Sequence, residues 1–162
     1  MNKFRASYSV LTTWAHGDWE RAVKQYFKLE SFTTEAMADG KRYHETWREE
    51  TDKTGRLPAV FGGKKLTRPM TEIKKVVAIE PWLDLVGVID CYDDPVIYEY
   101  KTGKTESDIY AGSPQVGLYG LIATLSGMMA DRAEIHHYDQ HNKKTDMSLV
   151  WLTDDKIRES YN

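Results

Sequence analysis

The chain has 162 residues, 41% hydrophobic and 29% charged, with a formal charge of −3 from 22 Lys and Arg against 25 Asp and Glu. That describes one ordinary domain with enough apolar residues for a core, and it excludes disordered, coiled-coil and polycationic histone-like or ribosomal proteins. A single cysteine, Cys91, excludes a disulfide framework, a four-cysteine zinc site and a cysteine-ligated iron–sulfur cluster. No apolar run reaches the roughly 20 residues of a membrane span, and Met1-Asn2-Lys3-Phe4-Arg5 lacks the apolar stretch of a signal peptide. The expectation is a soluble, cytoplasmic protein with one domain over residues 1–162.

The first third reads as helical. Ser7 or Ser9 caps a short helix carrying Val10, Leu11 and Trp14, and Gly17 interrupts it. Asp18 caps a second helix with Trp19, Ala22, Val23, Tyr26 and Phe27 inward. A third helix spans about 34–50, with Ala36, Met37, Tyr43 and Trp47 near one stripe. Residues 52–71, rich in Gly, Pro, Lys and Arg, read as a loop. Then the period changes: 73–79 and 83–91 are β-branched and apolar, Asp93-Asp94-Pro95 is a turn, and 96–101 is a third strand. Ser113-Pro114 has the form of a cap followed by proline at the first helical position, opening a helix through Leu125 and Met129. Two strands, about 132–138 and 145–152, and a short helix after Thr153 complete the pattern. It is a mixed α/β domain, a central mixed sheet flanked by helices, with a helical N-terminal third.

The chemistry concentrates in Gly87-Val88-Ile89-Asp90 and Glu99-Tyr100-Lys101. A hairpin through Asp93-Asp94-Pro95 brings Asp90 beside Glu99, and alternation puts Glu99 and Lys101 on one face of their strand. Two carboxylates beside a buried lysine repel unless neutralised. A divalent cation does this, since Mg²⁺ takes one or two carboxylates and keeps several waters. Such a site suits phosphodiester hydrolysis. An acid-x-Lys triplet alone carries little information, because it also occurs at Asp39/Lys41, Glu72/Lys74 and Asp154/Lys156. On the helix after Ser113, Gln115 and Tyr119 stand four apart and share a face, as do Gly40 and His44 on the third helix.

The ordered set resembles the RecB-type branch of the PD-(D/E)xK nuclease superfamily, which includes recombination, phage and CRISPR-adaptation nucleases. Its pieces are Ser7-Tyr8-Ser9-Val10-Leu11, Gly40-Lys41-Arg42-Tyr43-His44-Glu45, Glu80, Gly87-Val88-Ile89-Asp90, Tyr98-Glu99-Tyr100-Lys101-Thr102-Gly103-Lys104, and Gln115-Val116-Gly117-Leu118-Tyr119. The resemblance implies a restriction-endonuclease-like core and a Mg²⁺- or Mn²⁺-dependent deoxyribonuclease, an exonuclease in recombination, repair or DNA processing. It implies Asp90, Glu99 and His44 as metal ligands, with the Tyr100 carbonyl as a further one. Lys101 is the implied catalytic lysine, Gln115 and Tyr119 steady the site or the strand, and Ser9 and Glu80 are outer candidates. DNA is the implied partner, with unwinding left to a helicase or another repair protein. The cysteines that hold an iron–sulfur cluster in many relatives are missing, Gly17-Asp18 standing where Cys-Pro would be. The alternative is a DNA-binding or assembly subunit of weak or absent activity on the same fold. Oligomeric state is not legible.

Rival signals are weaker. Gly103-Lys104-Thr105 is not a phosphate-binding loop, because the motif's first glycine position is Tyr98. His136 and His137 face opposite ways on a strand, so with His141 they read as solvated or hydrogen-bonded residues rather than a metal site, and His16 has no evident partner. Cys91 reads as a small buried residue. Lys64, Lys65, Arg68, Lys74, Lys75, Lys104, Lys143 and Lys144 are candidates for guiding DNA.

Overall fold

A computed structural model describes residues 3–29 and 34–161. Its centre is a six-stranded mixed sheet. The strands are β1 (Phe4–Ser7), β2 (Met70–Glu80), β3 (Leu83–Asp93), β4 (Val96–Thr102), β5 (Arg132–Asp139) and β6 (Lys144–Trp151). The helices are α1 (Tyr8–Ala15), α2 (Trp19–Phe27), α3 (Glu35–Thr54), α4 (Ser107–Ala111), α5 (Pro114–Leu125) and α6 (Asp154–Tyr161).

β3 organises the sheet. Along one edge it pairs with β2, antiparallel, and its other edge is shared between two strands. Leu83–Val86 pair in parallel with β1, and Cys91–Asp93 pair antiparallel with Val96–Tyr98 of β4. Between those stretches the sheet forks. β4 then pairs in parallel with β5 over its full length, and β6 adds antiparallel outside. The parallel β4–β5 pair needs a crossover, which α4 and α5 supply.

Ser7 stands at the start of α1 but its side chain makes no cap hydrogen bond, whereas three other helix starts are capped. Asp18, Thr34 and Ser113 each accept a backbone N–H from the first turn that follows, at 3.2 Å in all three cases. Gly55, at φ 64°, ends α3 in the left-handed conformation. β4 is buried on both faces over Val96–Tyr100, which is why it reads as a continuous apolar and aromatic run. One core lies under α5, around Ile89, Ile97, Ile122, Ala123 and Ile135. A second lies under α3, around Trp47, Leu57, Cys91, Tyr98 and Tyr100.

Several expectations are corrected. β1 and α4 were not legible. α3 runs on to Thr54 and β2 starts at Met70, so the presumed loop is shorter, and it is tied down. The Leu57 N–H donates to the Lys64 carbonyl at 2.9 Å, Leu57 and Leu66 are buried, and the Asp93 carboxylate accepts the Thr67 and Arg68 N–H groups. Of the α2 residues expected inward only Ala22 is buried, whereas Trp19, Val23 and Phe27 are exposed. The reason is position: α2 packs mainly on α1 at the periphery of the sheet. Met37 is exposed likewise. Among the described residues no helix is long and apolar enough to cross a membrane.

Gly87 sets the approach of α5 to the sheet. A Cβ there would lie 2.5 Å from Ile122 Cδ1 and 3.4 Å from the Tyr119 ring. Gly87→Ala is expected to destabilise the fold by about 1–3 kcal/mol through overpacking. Ile122→Val, mildly destabilising alone, should recover part of that loss in the Gly87→Ala background. Urea unfolding of the four proteins in this cycle measures both.

Candidate active site

Four elements meet at the fork: α3 brings His44, β3 brings Asp90, β4 brings Glu99 and Lys101, and α5 brings Gln115 and Tyr119. Where β4 parts from β3, the Tyr100 N–H has no strand partner on that side, and the Asp90 carboxylate replaces it at 2.8 Å through Oδ2. The other oxygen, Oδ1, lies 3.4 Å from His44 Nδ1. α3 comes close enough for this because Gly40, one turn before His44, faces Thr102; a Cβ there would stand 2.9 Å from the Thr102 hydroxyl.

On the α5 side runs a hydrogen-bonded chain. Lys101 Nζ donates to Glu99 Oε1 at 2.7 Å and to Gln115 Oε1 at 3.1 Å, and Gln115 Nε2 donates to the Tyr119 hydroxyl at 2.8 Å. The ammonium, which only donates, fixes the orientation of the Gln115 amide. Glu99 is 4% exposed, and its second oxygen, Oε2, is buried with no hydrogen-bond partner. Such an orphan is costly in a protein interior.

The electrostatics agree. Burial, then the Asp90 charge, pushes Glu99 up to about 8 against the opposing pull of Lys101 and His44. Burial pulls the Lys101 ammonium down, but the carboxylate charges of Glu99 and Asp90 more than restore it. His44 is likewise raised, its burial outweighed by Asp90 and Glu99. Taken singly, a raised Glu99 speaks for a neutral carboxyl and a raised Lys101 for a charged partner. Together they describe one coupled group that binds protons tightly because the site is short of positive charge.

The residues present fit a hard divalent cation. Asp90 and Glu99 offer carboxylate oxygens and His44 an imidazole nitrogen, which suits Mg²⁺ or Mn²⁺ completed by water. Among the described residues no group of three or more His, Cys, Asp or Glu side chains stands as a preformed metal cage. Tyr100 contributes its backbone here, while its ring is buried against Trp47 and Phe61. The site opens on a cleft of about 780 Å³ lined by His44, Arg48, Glu72, Tyr100, Lys101 and Thr102.

Arg48 and Glu72 were missed by sequence reasoning. Their signal was faint: Arg48 lies one turn beyond His44, and Glu72 belongs to one of four acid-x-Lys triplets in the chain. The outer candidates stand apart. Ser9 pairs with Ser7, and Glu80 lines an apolar groove with Tyr8 and Trp82. Lys64 is committed elsewhere, to the Tyr98 hydroxyl at 3.3 Å and Glu134 at 3.5 Å, so it staples its loop to the sheet. His136 pairs with Glu134, and His137 lies between Asp146 and the Gly103 carbonyl, as structural histidines do. Burial pushes the Cys91 thiol up to about 12, so it is no nucleophile.

No protein-family model matches the chain, and no curated protein matches it in sequence. Solved structures do share its fold. The crystal structure of SSO0001 superposes with a TM-score of 0.58 at 11% identity, covering 99% of this chain and 75% of that one. An alkaline exonuclease from Laribacter hongkongensis superposes with a TM-score of 0.54 at 13% identity, covering 90% of this chain and 73% of its own. The chain therefore has the restriction-endonuclease-like fold, a mixed sheet flanked by helices.

The raised Glu99 has a stability consequence. A carboxyl with a folded pKa of about 8 against an ordinary value of 4.5 binds its proton more tightly in the folded state. Its contribution is thus complete below about 4.5 and is lost as pH rises through 8. In EDTA, urea unfolding between pH 5 and 8 should show Glu99→Gln losing less stability than the wild type. Equal slopes would show that Glu99 ionises freely.

Proposed function

We propose that the protein is a metal-dependent deoxyribonuclease of the PD-(D/E)xK superfamily and its RecB-type branch, acting as an exonuclease in recombination, repair or DNA processing. The observation that carries this reading is the buried, unpartnered Oε2 of Glu99, on a carboxylate whose Oε1 holds the Lys101 ammonium and which feels the Asp90 charge. A structural ion pair has no use for an orphan oxygen, and a DNA-binding surface has none for carboxylates that repel phosphate. The fold shared with an alkaline exonuclease supports the same class.

In this reading Asp90, Glu99 and His44 hold Mg²⁺ or Mn²⁺, with the Tyr100 carbonyl as a further ligand. When bound, the cation polarises a phosphoryl oxygen and makes water more acidic. Lys101 orients the attacking water and offsets the negative charge that grows on the phosphoryl oxygens. Gln115, itself held by Tyr119, keeps the ammonium aimed between Glu99 and the cleft. His44 completes the cation site from the opposite helix. DNA enters along the cleft, and strand separation is left to a helicase or another repair protein. No cysteine cluster is available for an iron–sulfur centre.

Incubation of linear and covalently closed circular DNA in Mn²⁺ and in EDTA tests the proposal. Linear DNA should be lost in Mn²⁺ only, and circles should survive. Lys101→Ala should slow cleavage by about 10²–10³-fold, typical for loss of one group that stabilises transition-state charge, while oligonucleotide binding in Ca²⁺ stays within about threefold. A wild type that binds DNA but cuts nothing would make the protein a non-catalytic binding subunit.

A further inference from the structure

β2 holds one antiparallel register with β3 on both sides of Asp90: Thr71 lies opposite Cys91 and Ile73 opposite Ile89. The pair between them, Glu72 with Asp90, is missing from the ladder. There Glu72 takes the left-handed backbone conformation, φ 47°, which a residue with a side chain keeps only when its surroundings impose it.

The side chains show what happens at that step. Strict alternation would put Leu85, Ile89 and Cys91 on one face. Leu85 and Ile89 do pack in the core under α5, but Cys91 packs under α3 with Trp47, and Tyr92 takes the α5 side. β2 inverts at the same place. Ile73 and Val77 belong to the α5 side, whereas Thr71 donates its hydroxyl to Asp52 of α3 at 2.7 Å. Both strands exchange faces together, and Asp90 sits in the step. The Glu72 carboxylate meanwhile accepts from Arg48 at 2.9 Å, on the helix that carries His44 one turn earlier.

We infer that Glu72 is a positioning residue for Asp90. Its left-handed backbone makes the matched kink that swings Asp90 out of the sheet face and into the fork, and its bridge to Arg48 ties α3 to that kink. The consequence for metal binding rests on the nuclease reading, but the placement of Asp90 does not.

Hydrogen exchange of the Tyr100 amide reports that placement directly, since this N–H donates to Asp90. Mn²⁺ binding followed by electron paramagnetic resonance reports the consequence. Glu72→Val, which opposes left-handed backbone, should speed Tyr100 exchange by about tenfold, the scale of the left-handed penalty. Amides of the β4–β5 ladder should stay as protected as in the wild type, and Mn²⁺ affinity should fall by a similar factor. Glu72→Ala should move the same way by less and serves if the valine variant does not fold. Glu72→Gly adopts the conformation freely and should leave Tyr100 exchange within about twofold. Unchanged exchange in the valine and alanine variants, or loosening by glycine equal to that by valine, overturns the inference. A wild type with a protected Tyr100 amide and no Mn²⁺ binding would sink the nuclease reading instead, and the exchange comparison alone would then decide this one.

Discussion

The hydrogen bond from the Tyr100 N–H to the Asp90 carboxylate is the constraint around which the site is arranged. β3 shares one edge between β1 and β4, so the two neighbours must part, and the parting strands a backbone donor in a buried place. Water is a poor remedy inside a core, and an unpaired N–H there costs about as much as a lost hydrogen bond. A carboxylate solves the problem, since one oxygen replaces the missing strand and the other remains for His44. The sheet's irregularity and the candidate chemistry are therefore one feature seen from two directions. Removing Asp90 would take away a proposed metal ligand and also leave the Tyr100 N–H unpaired.

Charge balance follows from that arrangement. The Asp90 carboxylate accepts the Tyr100 N–H, and its charge falls on Glu99, which burial already disfavours as an anion. Lys101 answers only one carboxylate, so the group is left a positive charge short. Replacing such a buried group by apolar side chains would often stabilise a fold. In the proposed reading a cation completes it; as it stands, the carboxylate charges raise the protonation of His44 and Lys101, and burial with the Asp90 charge raises that of Glu99.

Much of this was legible from residue order because the informative features are local. Ser113-Pro114 announces a helix start, Gln115 and Tyr119 share its face, and the strand Val96–Thr102 is apolar enough to be central. What escaped was non-local or broke a period. β1 has four residues, and its pairing partner lies nearly half the chain away, at Leu83–Val86. α4 is a single short turn of helix. Alternation, used to assign faces, fails at Glu72 and Asp90 because both strands invert there, and no composition signal marks a non-glycine residue at positive φ. Lys64 looked like a free basic residue because its partners, Tyr98 and Glu134, come from two distant strands.

The two glycines show how the site is held from both sides. Gly87 lies three residues before Asp90 and lets α5 settle onto β3, so that Gln115, held by Tyr119, reaches Lys101. Gly40 lies four residues before His44 and lets α3 settle against Thr102, immediately after Lys101. One glycine is on the sheet and the other on a helix, yet each removes a Cβ where an element bearing a site residue must approach a neighbour. Helix interiors disfavour glycine by roughly 1 kcal/mol relative to alanine, so Gly40 is retained against propensity. Its return is the 3.4 Å contact between His44 and Asp90, a distance set by backbone approach, which a longer side chain at position 44 would not reproduce with the same ring orientation.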